Sequence, residues 1–137
     1  MMKAISTSVL LLTSLLLFTG AFCQQSKDFD QPEADYRMAA ELFESGMYGA
    51  AQKIFSELSG EGSRTSPDMQ AQTSFHDALC AAELSHPDAA ARITSYLDNY
   101  AGHSGSKIAW FYLGKMYFKK SKYRDAVEAF RKVKRED

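Results

Sequence analysis

The chain has 137 residues, of which 45% are hydrophobic and 24% are charged, and its formal net charge is -1. This composition is typical of a folded globular protein and excludes an intrinsically disordered chain. The near-zero net charge does not indicate a nucleic-acid-binding protein. The two cysteines are too few for a disulfide framework, and with three scattered histidines they predict no zinc site.

The first 23 residues have the layout of an export signal. Lys3 supplies a positive charge ahead of an apolar run over 9–18, and small residues follow that run. Ala21 and Cys23 fit the -3 and -1 positions of a signal-peptidase site. The segment therefore predicts cleavage before Gln24 and an exported protein, either periplasmic or associated with the outer membrane.

The same segment leaves a second fate open, in which lipid is attached to Cys23. Phe22 argues against a lipoprotein signal, because such signals have a small residue just before the cysteine. A retained transmembrane helix is disfavoured as well, since the apolar run is shorter than the roughly 20 residues that a bilayer requires. We expect membrane association only if Cys23 is lipidated.

After a polar, flexible lead-in over 24–32, apolar residues spaced at three and four predict helices and no β-strands. Pro32, Pro67 and Pro87 each fall where a helix is expected to begin. The predicted helices cover 34–45, 48–59, 68–84, 88–100, 106–120 and 123–135. They form three antiparallel pairs, over 33–66, 67–104 and 105–137, which recur about every 37 residues, and such a period is typical of stacked helical repeats.

The third pair, AWFYLGKMYFKKSKYRDAVEAFRKV, resembles a tetratricopeptide repeat (TPR). Its first helix fits the TPR signature W-x2-L-G-x2-Y. Gly114 and Ala126 are small, so that the two helices of a pair can approach closely. The matching positions are Trp110, Leu113, Gly114, Tyr117, Tyr123, Ala126, Phe130 and Val133.

The first pair repeats this pattern 75 positions earlier. Its matching positions are Met38, Ala39, Leu42, Tyr48, Ala51 and Phe55. Asp35 stands at the tryptophan site, a departure that suits a first repeat with nothing stacked before it. In the middle pair we expect Ala78 at the first small site and either Ala89 or Ala90 at the second. The turn SHPD has a different shape, so this register stays open by one residue.

The resemblance covers 33–137 and implies an all-α fold, a right-handed α-solenoid of about three TPR-like repeats. More narrowly, QPEADY, GAAQKIF and ELSHPDA are similar to the N-terminal region of exported cell-envelope TPR proteins of Bacteroidota-type bacteria. The resemblance implies a scaffold that binds a protein or peptide. TPR arrays normally end in a polar capping helix, and the sequence shows none after the third pair. We therefore expect the sequence to be the front of a longer protein with further repeats downstream; the alternative is that the uncovered side of the last pair meets something else.

By the same resemblance, the first helix of each pair lines a concave binding surface. Rings beside lysines suit a peptide partner, because the rings supply apolar area and the lysines fix orientation. The alternative is that some of these rings pack under the following helix and are not accessible. The candidate protein-binding residues are Tyr36, Phe43, Phe75, Phe111, Lys115, Phe118 and Lys119.

Charge is divided unevenly along the chain. The segment 24–100 holds 5 Lys and Arg against 13 Asp and Glu, whereas 101–137 holds 10 against 4. Either solvated helix faces merely differ, or a basic end docks an acidic surface on the next repeat or a partner. Nucleic acid is not expected as that partner, because an exported protein rarely meets it.

No catalytic motif appears in the sequence. It contains no glycine-rich phosphate loop and no GxSxG elbow, and His76, His86 and His103 lie in three separate segments without the pairing of a helical zinc site. We therefore predict no enzyme, no cofactor and no metal. Two functions stay open: a protein-binding scaffold of the bacterial cell envelope, and a structural N-terminal spacer with no ligand of its own.

Overall fold

The computed structural model describes residues 31–60, 63 and 65–135. The predicted export signal with Cys23, and the lead-in through residue 30, lie outside the described residues. Within the described ranges the chain is all-helical and contains no β-strand, which confirms the all-α prediction for this part. The helices are α1 (Gln31–Glu44), α2 (Tyr48–Ser59), α3 (Pro67–Glu83), α4 (Ala89–Asn99), α5 (Ser106–Lys119) and α6 (Tyr123–Arg135).

The helix starts follow from their first residues. The first helix begins three residues before the predicted Ala34, because Pro32 is tolerated in a first helical turn and Glu33 complements the positive end of the helix dipole. Residues 31 and 32, which the sequence assigns to the lead-in, are therefore helical. At the start of α3, the Ser66 hydroxyl accepts a hydrogen bond from the Met69 amide at 3.2 Å, with proline at the first helical position.

One turn geometry joins the two helices of every pair. Gly46, Ser85 and Ser121 all have positive φ, at 75°, 57° and 58°. In each turn the backbone amide of the residue after the positive-φ residue donates a hydrogen bond to the carbonyl five residues before it. This arrangement satisfies the last carbonyls of a helix. These bonds are Met47 to Leu42, His86 to Ala81 and Lys122 to Tyr117, each 2.9 Å.

These three turns align the first helix of the middle pair with the first helices of the other two pairs. Ala78 lies seven residues before its turn residue, as Ala39 and Gly114 do in the other pairs, so it holds the first small site as predicted. The different shape of the SHPD turn comes after Ser85, because α4 begins four residues later whereas α2 and α6 begin two residues after theirs. Of the two alanines left open, Ala89 is the fully buried one.

Close helix pairing in the third pair depends on a missing side chain. A Cβ atom added at Gly114 would lie 2.5 Å from a ring carbon of Phe130. Ala126, the other small site, is 1% exposed. The predicted role of small residues in this pair is confirmed.

The third helix packs on both sides and joins two core clusters. It contacts α2, α4 and α5. Cys80 packs on one side in a cluster with Ala39, Ala51 and Phe55. Burial raises the pKa of the Cys80 thiol to about 12, so the thiol is protonated and inert at neutral pH. The other cluster consists of Phe75, Ala78, Leu79, Ile93, Tyr96, Leu97, Ala109 and Leu113.

Candidate protein-interaction surface

The structure separates the seven candidate binding residues into two groups. Phe75 is only 8% exposed and lies in the core, 5.3 Å from the ring of Tyr96. It is therefore not an accessible binding residue, and the alternative that some rings pack under a following helix holds for it. Tyr36 and Phe43 are half-buried against the core of the first pair.

The other four candidates lie together on exposed positions of α5. Phe111 is 46% exposed and Phe118 is 60% exposed. Lys115 stands between them at helical spacing, so these three residues share one side of the helix. Lys119 is exposed in the last turn of α5, next to Phe118 in sequence.

Large exposed side chains on α6 extend this surface, and sequence reasoning missed them. Phe118 meets Tyr123 with ring centroids 5.5 Å apart, and Phe111 meets Phe130 at 6.0 Å. Tyr123 and Phe130 match TPR positions in the sequence, but that match does not indicate whether their rings are exposed. We call this surface the open face; its residues are Ile108, Phe111, Phe118, Tyr123, Val127 and Phe130.

The first pair contains the equivalent rings 75 positions earlier, and we call them the covered face: Tyr36, Phe43, Tyr48 and Phe55. Phe43 meets Tyr48 at 5.3 Å and an interplanar angle of 68°, against 5.5 Å and 67° for the equivalent rings of the open face. Tyr36 meets Phe55 at 5.7 Å. The two faces therefore share one ring arrangement.

The difference between the faces is a single ring that α3 places on the first pair. His76 stacks on Phe55 at 4.9 Å and meets the edges of Phe43 at 5.5 Å and Tyr36 at 5.8 Å. As a result Phe55 is fully buried, whereas the equivalent Phe130 is 36% exposed. No sequence motif marks this histidine, so its role in covering the rings is evident only in the tertiary structure.

The imidazole of His76 is held neutral by its surroundings. Burial lowers its pKa, and this outweighs the raising effects of the Gln72 carbonyl and of the Glu44 carboxylate. The Nδ1 atom lies 2.9 Å from that carbonyl oxygen, so Nδ1 carries the proton and donates. A neutral ring can pack among aromatic side chains without the cost of burying a charge.

Charge around the two faces is reversed. The first pair has Ala40 and Glu44 where the third has Lys115 and Lys119. The Lys115 ammonium lies 4.6 Å from the centre of the Tyr112 ring and 5.7 Å from that of Phe111, in cation–π geometry. The open face therefore has an aromatic centre beside fixed positive charge.

Tyr112 holds α5 against the preceding pair, and it lies at the position equivalent to His76, nine residues before the turn residue. Its hydroxyl donates a 2.6 Å hydrogen bond to the Glu83 carboxylate. Burial and this carboxylate raise the pKa of Tyr112 to about 12. Each junction between pairs thus uses a ring from the first helix of the following pair.

The remaining polar clusters have structural roles. The Arg92 guanidinium bonds Asp77 at 2.7 Å and Asp88 at 2.8 Å and so ties α4 to α3. Among the described residues, no three metal-binding side chains are grouped at one place. The helices in these ranges are also too short or too polar to be membrane spans.

Comparison with protein-family models, curated proteins and solved structures gives no match for this chain. The open face is therefore interpreted from its own geometry.

Proposed function

We propose that this protein is a non-catalytic protein-interaction scaffold of TPR-like helix pairs, exported to the bacterial cell envelope, and that it binds a protein segment on the open face. The observation that carries the proposal is the repeated ring arrangement, which a ring of α3 covers in the first pair and which is exposed in the third. Contiguous exposed rings on a folded protein are typical of an interaction surface.

The chemistry of the open face suits a protein partner. Phe111 and Phe118 supply rigid apolar area, which aromatic side chains lend to binding at low entropic cost. Lys115 and Lys119 add charges that orient a partner and raise its association rate. We further propose that the pairs stack as a right-handed solenoid, for which the three equivalent turns and the contact of α3 with α5 are the support.

A structural spacer at the start of a longer TPR array is the second candidate function. The equivalence of the three turns favours it, because regular pairs propagate an array without needing a ligand. In that case the open face is the surface on which a further repeat of the same protein stacks, and no separate protein binds there.

A peptide-array screen with the full chain tests the proposed function. We expect binding that Phe111→Ala and Lys115→Glu weaken, while Met47→Ala, an exposed residue outside the open face, leaves it unchanged. Partners whose binding is indifferent to both changes on α5 would remove the open face as the binding site. If no peptide or protein binds, the spacer is the better account.

A further inference from the structure

The covered face shows which kind of segment packs on this ring arrangement, and we use it as the template for what the open face binds. The two faces have the same ring pairs at nearly equal separations and angles. The template is occupied by a helix, α3, which inserts the flat ring of His76 and packs Cys80 beneath it against Ala39, Ala51 and Phe55. A surface that repeats the rings of the template is shaped for the same kind of occupant.

The electrostatic surroundings do not repeat the template. Ala40 and Glu44 of the first pair correspond to Lys115 and Lys119 of the third. The exchange continues on the turn and on α6, where Met47, Gly49 and Ser56 correspond to Lys122, Arg124 and Arg131, all of which are exposed. The occupant of the open face therefore meets positive charge where α3 meets neutral or negative groups.

From these two observations we infer that the open face binds an acidic amphipathic helix that inserts one ring side chain among Phe111, Phe118 and Phe130 and places carboxylates beside Lys115 and Lys119. This inference rests on the proposed function and specifies the chemistry of the partner. A helix is chosen over an extended strand because the template occupant is helical and because apolar anchors at helical spacing suit a pair of helices.

The probe is a synthetic peptide with the sequence of 66–84, the segment that covers the template, with Cys80→Ser to prevent oxidation. Ser74→Lys and Ala78→Glu supply an amine and a carboxyl group, whose condensation with loss of water forms a lactam link that keeps the peptide helical. Ala78 belongs to the second core cluster and Ser74 borders a cavity with Arg92, so neither position belongs to the cluster that Cys80 forms with the first pair. Circular dichroism of the peptide establishes its helicity.

Binding is measured by NMR on the full chain with about 1 mM peptide, where millimolar affinities are detectable. We expect the peptide to change the chemical shifts of Phe111, Phe118 and Phe130. Phe118→Ser is expected to abolish these changes. The matched control Met47→Ser, which also replaces an exposed apolar residue, is expected to leave them in place. In the peptide, His76→Ala removes the inserted ring and is expected to abolish binding.

The preference of the open face for an acidic peptide is tested at position 72 of the peptide, one helical turn before His76. A Gln72→Glu peptide is expected to bind about two- to fivefold more tightly than the parent, and a Gln72→Lys peptide about as much more weakly, with the difference shrinking as salt is added. The inference is overturned if no helical peptide shifts the open face, if the charge order is reversed, or if His76→Ala binds as well as the parent.

Two further outcomes separate this inference from the proposed function. If the peptide-array screen yields a partner that is extended when bound, the scaffold stands and the helical occupant is wrong. If sedimentation shows dimers of the full chain that Phe118→Ser dissociates, a second copy covers the face and the acidic helix is likewise excluded.

Discussion

The covered and open faces contain nearly the same arrangement of rings, yet they differ in how far those rings are exposed to solvent. Phe55 is completely buried, while Phe130 at the equivalent position retains a third of its exposure. Each of the two phenylalanines meets one ring of the first helix of its own pair. The ring centroids of Phe55 and Tyr36 are 5.7 Å apart, and those of Phe130 and Phe111 are 6.0 Å apart. The exposure of these two phenylalanines thus depends on whether a further helix pair covers them, since their surroundings within their own pairs are alike.

The same contrast shows how a repeating pattern can serve stability at one place and recognition at another. Where α3 covers the rings, they contribute buried apolar area to the core. Where no described helix covers them, they offer apolar area to a partner, with lysines in place of Ala40 and Glu44. Four predictions test how far the comparison extends.

The largest expected effect comes from truncating the two equivalent phenylalanines. Phe55→Ala should lower the free energy of unfolding by about 3–5 kcal/mol, because it empties a fully buried site. Phe130→Ala should cost about 1–2 kcal/mol, because its ring is partly solvated already. Urea denaturation of both variants measures the difference, and equal losses would contradict the comparison of the faces.

The next effect concerns the small sites of the two pairs. Gly114→Ala should destabilise the protein by about 1 kcal/mol, because the clash with the Phe130 ring exceeds the gain in helix propensity. The double variant with Phe130→Ala should remove the clash, so that Gly114→Ala becomes neutral or stabilising in that background. Ala39→Gly is the matched control in the first pair, with an expected cost of about 1–2 kcal/mol from lost helix propensity and from the loss of a fully buried methyl group.

A comparable or smaller effect is expected at the junction between the second and third pairs. Tyr112→Phe removes the 2.6 Å hydrogen bond to Glu83 and should cost about 1 kcal/mol. Tyr123→Phe alters a hydroxyl on a ring that is mostly exposed and should cost less than about 0.5 kcal/mol. Thermal unfolding of the two variants side by side distinguishes them, and a larger loss for Tyr123→Phe would speak against this account of the junction.

The smallest effect at neutral pH comes from His76 and becomes visible on acidification. Its pKa in the folded protein is below the ordinary value of about 6.5, so the unfolded chain binds a proton first as the pH falls. The free energy of unfolding should therefore decline below about pH 6.5 and be unaffected by this group above it. His76→Phe keeps a ring on the covered face and should flatten the profile between about pH 7.5 and 5.5; an unchanged slope would assign the dependence to other groups.

Much of the fold was predictable because it depends on local signals. Helix spacing, prolines and turn residues placed the six helices within three residues of their observed ends. The small residues Ala39, Ala78 and Gly114 were found from spacing as well. The open face was predicted only in part: Phe111, Lys115, Phe118 and Lys119 were found, whereas Tyr123, Val127 and Phe130 were not, since sequence matches cannot tell a covered repeat position from an exposed one.

The sequence by itself determined the helices, their pairing and the positions where two helices approach closely, because each is set by residues a few positions apart. Tertiary structure alone decided that Phe75 is buried while the equivalent Phe111 is exposed, and that His76 inserts among rings contributed by both α1 and α2. The physical reason is that burial depends on which surface arrives from a distant part of the chain, and that information is absent from the local pattern.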